Sequence, residues 1–232
     1  MEEKNLPDKV DELLTEVVNK APLTLAAIST IPYFGCTIAT FFSAKWLQVY
    51  QQRTEALFQH FGEHLDNLDE RVINKDYFDT EEGIDLLIKA TEQSNKTGSE
   101  EKRDLISRIL AGAPLAEAEG GNYSPEEYLN IVASLTPKEL EVARTIYDLQ
   151  RNIASPLKLD SANKVELWRL CAESIRAKHA IEADDLPLFL NRITATGLTT
   201  LVYEIYASGD TVPTYWVAPS FDRLIEFLSL NS

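Results

Sequence analysis

Apolar positions recur at helical spacing along most of the chain. Val10, Leu13, Leu14, Val17 and Val18 predict an amphipathic helix over 8–19, with Asp8 as its cap. Residues 21–44 interrupt this pattern, because they hold no charged side chain. The segment is long enough to cross a bilayer, yet Pro32 and Gly35 near its middle predict two short helices rather than one rod. The expectation is a helical hairpin, buried or facing another subunit. The alternative is a membrane-engaging hairpin that inserts through Ile28, Ile31, Phe34, Ile38, Phe41 and Phe42. Residues 36–74 then hold no proline and one glycine, Gly62. Trp46, Tyr50, Thr54, Leu57, Phe61, Leu65, Leu68 and Val72 follow one another at intervals of four and three, which predicts a long helix with one coiled-coil-like apolar seam. Such a helix needs later helices or another subunit to cover it, so Trp46, Tyr50, Leu57, Phe61, Leu65 and Leu68 are the candidate interaction residues.

Further along, Ile84, Leu87, Ile88 and Thr91 predict the inward face of a helix over 80–95. Ser99 caps a second helix over 99–112, with Leu105, Ile106, Ile109 and Leu110 as its core. Residues 113–123, with Pro114, Gly120, Gly121 and Asn122, read as a linker. Ser124, Pro125 and Glu127, and again Thr136, Pro137 and Glu139, place a hydroxyl cap, a first-turn proline and a glutamate three residues beyond the cap. That is the capping-box arrangement, and it predicts helices over 125–134 and 137–152. Val165, Leu167, Trp168, Leu170, Cys171 and Ile175 predict a helix over 161–179. Asp184 or Asp185 opens another that ends at Gly197. Residues 201–206 and 212–217 alternate as strands about a turn at 208–210, with Pro213 confining the second to an edge. Pro219 and Ser220 open a last helix through Phe221, Leu224, Ile225 and Leu228. The expected fold is mainly α: a long-helix bundle over 1–112, a linker and connecting helix over 113–135, and an α+β domain with one β-hairpin over 136–232.

Charge narrows the function. Across 232 residues, 22 Lys and Arg stand against 37 Asp and Glu, a formal charge of −15 spread without an acidic tail or basic arm. Affinity for nucleic acid comes mostly from lysine and arginine, so this balance disfavours a phosphate-backbone binder, and the folded body would repel anionic lipid headgroups. Cys36 and Cys171 are the two cysteines, too few and too far apart for a disulfide framework or a zinc cluster. The polar N-terminus lacks a secretory pattern, and the expected location is the cytoplasm, with membrane association through 21–44 as the variant.

The helix over 185–196 carries Leu186, Leu188, Phe189, Leu190, Asn191, Arg192 and Ile193. It leads through Gly197 and Leu198 into the hairpin and a closing helix. On those residues, 137–230 resembles a winged-helix domain. That resemblance implies either DNA recognition through the helix before the hairpin, or a protein-interaction module. For DNA the helix offers Asn191 and Arg192, but Asp184 and Asp185 stand at its start, and 199–217 contains Glu204 and Asp210 with no lysine or arginine. The N-terminal part resembles uncharacterised bacterial long-helix proteins, which implies no function.

His60, Glu63 and His64 resemble the inverted zincin signature, since histidines four apart share a helix face and can chelate zinc. Glu141 would then be the distant third ligand. The motif sits beside Phe61 and Leu65 on a packing helix, without the sheet of that family, and no other catalytic set appears. The sequence therefore predicts a non-enzymatic protein without cofactor or resident metal. It would self-associate as a homo-oligomer or dock a protein partner, with a winged-helix-like module for recognition. A membrane-engaging effector or sensor and a transcription regulator are the alternatives.

Overall fold

The computed structural model describes residues 35–66, 77–119, 125–151, 160–205 and 209–229. The fold is mainly helical, with eight α-helices and a two-stranded antiparallel sheet among the described residues. Contacts divide the chain into two units, Met1–Ala56 and Leu57–Ser232. In the first unit, the described part is the opening of helix α1 (Gly35–Asp66). The backbone of Ile38, Phe41 and Phe42 is helical there, whereas the helix expected over 8–19 and Ile28, Ile31 and Phe34 lie outside the described residues. So does 67–74, the last stretch of the expected long helix. Among the described residues, no helix is long and apolar enough to cross a membrane.

In the second unit, Leu57 and Phe61 of α1 are buried, and the Phe61 ring meets Phe78 edge-on at 5.5 Å. Burial of each such side chain is worth about 1.5–3 kcal/mol. Phe78 belongs to a 3₁₀ turn (Tyr77–Asp79) that leads into α2 (Glu81–Lys96). Thr80 caps α2: its hydroxyl accepts from the Gly83 N–H at 3.1 Å and donates to the Tyr77 carbonyl at 2.6 Å. A Cβ on Gly83 would stand 2.2 Å from that carbonyl oxygen, so only glycine permits this approach. The contact rotates α2 away from the expected face. It buries Gly83, Leu86, Leu87, Ala90, Thr91 and Ser94, while Ile84 and Ile88 are half-buried.

Helix α3 (Glu100–Glu119) starts on the expected cap, with the Lys102 N–H donating to Ser99 Oγ at 3.1 Å. It passes the expected end at 112 and carries Pro114 inside. A proline within a helix costs about 3 kcal/mol. Burial of Ile106, Ile109, Leu110, Ala113 and Leu115 around it opposes that cost. Helix α4 (Pro125–Ser134) packs on α3 and buries Tyr128, Leu129 and Val132. Helix α5 (Pro137–Arg151) begins with the expected capping box. The Thr136 N–H donates to Glu139 Oε2 at 2.6 Å, and the Glu139 N–H donates to Thr136 Oγ1 at 3.3 Å.

Helices α6 (Ser161–His179) and α7 (Leu186–Ala195), strands β1 (Thr199–Ile205) and β2 (Thr211–Val217), and helix α8 (Pro219–Ser229) complete the chain. Asp160 caps α6 by accepting from the Asn163 N–H at 2.8 Å. The final helix returns to the first half of this unit, where Phe227 stacks on Tyr128 at 4.8 Å and Phe221 on Tyr147 at 4.9 Å. Helices from both sides of the expected 113–135 linker thus lie in one compact unit.

Candidate functional site

Helix α7 turns Leu186, Leu190 and Ile193 inward at intervals of four and three. Asp185 stands at its N-cap without a side-chain cap bond, Pro187 fits the first turn, and Gly197 at φ +80° ends the segment and turns the chain into β1. The opposite face shows Leu188, Asn191, Arg192 and Ala195 to solvent.

The hairpin pairs Thr199 with Val217 through to Ile205 with Thr211. Even-numbered positions share one face, where Thr214 and Trp216 are buried and the Trp216 indole N–H donates to Thr214 Oγ1 at 2.9 Å. Glu204, on that face, pairs with Lys164 of α6 at 3.1 Å. Its carboxyl is held below the usual range first by a hydrogen bond from Ser161 and then by Lys164. On the odd-numbered face, Tyr215 is buried against Trp168, and its hydroxyl donates to Asn191 Oδ1 of α7 at 3.1 Å. Nearer the turn, that face emerges. Leu188, Tyr203 and Ile205 are each 63% exposed, and Pro213, opposite Tyr203, is also exposed.

A side chain closes part of the β2 backbone. Gln150 of α5 is buried, and its Nε2 donates to the Tyr215 carbonyl at 2.8 Å while its Oε1 accepts from the Val217 N–H at 2.9 Å. The amide does for two residues what another strand would do.

Arg192, the arginine on the face where a winged helix would read bases, is engaged elsewhere. Its Nε lies 2.9 Å from Oε1 of Glu139, a carboxylate 4% exposed, and its Nη2 donates to the Ser134 carbonyl at 3.4 Å. Lys102 closes the same helix end by donating to the Ala133 carbonyl at 2.8 Å and the Leu135 carbonyl at 2.6 Å. Burial lowers the Lys102 pKa, and the nearby Glu139 opposes that shift. The end of α4, whose last carbonyls lack helical partners, is thus held by two cations and one buried acid. The capping box was legible in the sequence, but the second task of Glu139 was not.

Of the seam, Leu57 and Phe61 are spent on the chain's own core, Tyr50 and Leu65 are half-buried, Trp46 lies in α1, and Leu68 is outside the described residues. His60 and His64 do not meet Glu141. His60 Nε2 lies 2.7 Å from Glu100 Oε1, and His64 Nε2 lies 2.8 Å from Asp104 Oδ1. The two pairs form a ladder in which the four-residue spacing of α1 is matched by the four-residue spacing of α3. Arg103 extends the first rung through Glu100, and Arg108 extends the second by donating to Asp104 at 3.0 Å. The hydrogen bond from His60 lowers the Glu100 pKa. Among the described residues, no three metal-ligating side chains gather.

Glu141 instead faces His179, at 3.5 Å from Nδ1, while Thr145 Oγ1 lies 2.8 Å from Nε2 of the same imidazole. The order hydroxyl, imidazole, carboxylate resembles a nucleophilic relay. Yet Thr145 is only 4% exposed, its hydroxyl donates to the Glu141 carbonyl at 2.9 Å, and Lys178 donates to the same oxygen at 3.1 Å. The hydroxyl is thus already engaged by the Glu141 carbonyl and Lys178, and the cluster ties α6 to α5. Burial lowers the His179 pKa, with Glu141 opposing and Lys178 and Lys138 adding to the shift.

No protein-family model, curated protein or solved structure matches this chain.

Proposed function

We propose that the chain is a non-enzymatic protein-interaction protein. A helical body docks a second copy or a partner along α1, and a winged-helix-like module formed by α5, α6, α7, the hairpin and α8 supplies a recognition surface. The order of those elements supports the winged-helix reading. Protein rather than nucleic acid is favoured by one observation: Arg192 is tied to the buried Glu139, and residues 199–217 hold no lysine or arginine to replace it. Lys138, over the Phe189 ring at 5.6 Å, is then a cation beside α7, a small counter-charge for a phosphate backbone. The apolar Leu188, Tyr203 and Ile205 occupy this face instead.

Titration of a labelled DNA duplex at low and at physiological salt tests this reading. The expected result is no salt-dependent binding. Binding that weakens steeply with salt and disappears in Arg192→Ala would make the transcription-regulator reading the better one. Size-exclusion chromatography with light scattering tests the helical part, where a strict monomer at high concentration removes self-association from the proposal.

A further inference from the structure

The exposed stripe of α7 and the odd-numbered face of the hairpin form one surface. Leu188 and Asn191 are three apart and share a face of α7. Asn191 accepts the Tyr215 hydroxyl at 3.1 Å, Tyr215 pairs with Leu201 across the hairpin, and Tyr203 and Ile205 follow Leu201 on the same face of β1. Tyr215 stands opposite Leu201 and Tyr203 opposite Pro213, so the two tyrosines occupy successive positions of that face on neighbouring strands. Leu188 and Ile205 are therefore linked through the Asn191–Tyr215 hydrogen bond and the register of the hairpin.

Acidic groups outnumber basic ones on this surface, where Lys138 of α5, over the Phe189 ring at 5.6 Å, is a basic neighbour. Residues 182–217 hold Glu182, Asp184, Asp185, Glu204 and Asp210 against Arg192 alone. Arg192 is engaged by Glu139, and Glu204 by Lys164 from the opposite face of the hairpin. Glu182, Asp184 and Asp185 are exposed and have no ion pair among the described residues. Asp184 and Asp185 precede Leu188 by four and three residues, so their carboxylates stand one helical turn from its side chain.

We propose that this surface docks a partner-protein segment combining apolar side chains with lysine or arginine, a cationic amphipathic helix being the simplest form. The inference rests on the protein-interaction reading and names the chemistry of the partner. Apolar side chains would cover Leu188, Tyr203 and Ile205, and the basic groups would meet Glu182, Asp184 and Asp185. A second copy fits less well because it brings the same carboxylates, and the same −15, to the contact. An anionic membrane or a nucleic acid meets the same repulsion.

The experiment uses the full chain and a fluorescently labelled synthetic helix of leucine and lysine arranged with one apolar face. The controls are a leucine–glutamate helix and a leucine–lysine peptide of the same composition with the apolar face scrambled. Anisotropy should show binding of the amphipathic leucine–lysine helix and neither control at the same concentration. The uncharged double variant Leu188→Ser/Tyr203→Ser should weaken binding by about tenfold or more, with helical content unchanged, because both side chains lie on the surface. Asp184→Asn/Asp185→Asn should weaken it by about threefold to tenfold at low salt and less at high salt.

Failure of the amphipathic helix to bind overturns the proposal. So does equal binding of the scrambled peptide, or binding unchanged in Leu188→Ser/Tyr203→Ser, since either would reflect net charge alone. Self-association that depends on Leu188 and Tyr203 would assign the face to a second copy and overturn this inference while leaving the protein-interaction reading in place. Salt-dependent DNA binding would remove that reading itself.

Discussion

Arg192 Nε stands 2.9 Å from Oε1 of Glu139, and this one contact turns the exposed arginine of α7 inward to a carboxylate that is almost fully buried. Glu139 also accepts the Thr136 N–H at the start of α5. The pair therefore couples the helix before the hairpin to the junction of α4 and α5. Removing Arg192 leaves the buried Glu139 with Lys102 as a remaining cationic neighbour, still a larger loss than that of a surface pair. Half of the Arg192 side chain is solvated, which moderates the loss. Arg192→Ala should lower stability by about 1–2 kcal/mol in urea unfolding. In a double-mutant cycle with Glu139→Gln, most of that loss should appear as coupling.

The Gln150 amide is the second such device. Replacing it with leucine keeps the volume but leaves the Tyr215 carbonyl and the Val217 N–H without the partner they have now. Each unmet buried group costs about 1–3 kcal/mol, so Gln150→Leu should destabilise the chain by about 2–4 kcal/mol. Hydrogen exchange at the Val217 amide should accelerate more than at amides of α2.

Gly83 supports a third test. A methyl group at this position would overlap the Tyr77 carbonyl, which belongs to backbone and cannot swing aside as a flexible side chain would. Gly83→Ala should cost about 1–3 kcal/mol despite the better helix propensity of alanine. Ile84→Ala, on a half-buried position of the same turn, should cost less. The opposite ranking would contradict the observed rotation of α2.

Stability should also depend on pH through His179. Its folded-state pKa is lowered, chiefly by burial, so the folded chain favours the neutral imidazole. The resulting stability is fully present above the ordinary histidine value of about 6.5 and is lost as pH falls through the lower folded value. Glu141 faces the ring at 3.5 Å and opposes the loss, while Lys138 and Lys178 add to it. The midpoint of urea unfolding should therefore fall on acidification below about pH 6.5, and His179→Gln should flatten that part of the profile. The lowered carboxyls of Glu100 and Glu204 give up their contribution at more acidic pH, so the two phases are separable.

Chelation distinguishes the histidine ladder from a metal centre. His60 and His64 are already held by Glu100 and Asp104. Dialysis against a chelator should leave the thermal midpoint unchanged, and metal analysis should find no stoichiometric zinc. A midpoint lowered by the chelator and restored by zinc would reinstate these histidines as ligands.

Local signals carried most of the architecture into view. The Thr136 and Glu139 box, the Ser99 cap, the helix over 161–179 and the hairpin about 208–210 all depend on residues close in sequence. Three features depended on distant residues and were not legible. Pro114 reads as a stop, yet α3 continues through it in buried, tightly packed surroundings. Ile84 and Ile88 read as core, yet Gly83 packs on the Tyr77 carbonyl and Leu86, Ala90 and Ser94 are buried beside the expected Leu87 and Thr91. The zinc-like spacing of His60 and His64 is real, but their partners lie forty residues away on α3. On the face of α7 and the hairpin, the absence of lysine and arginine from 199–217 could be read directly. The engagement of Arg192 by Glu139 could not, because no local pattern joins positions 139 and 192.

Hydrogen–deuterium exchange of the full chain, with and without the amphipathic leucine–lysine helix, tests the docking face most directly. Protection confined to α7 and β1, with α2 and the histidine ladder unchanged, is the expected result. Protection spread over the whole acidic surface, or none at residues 186–205, would contradict it.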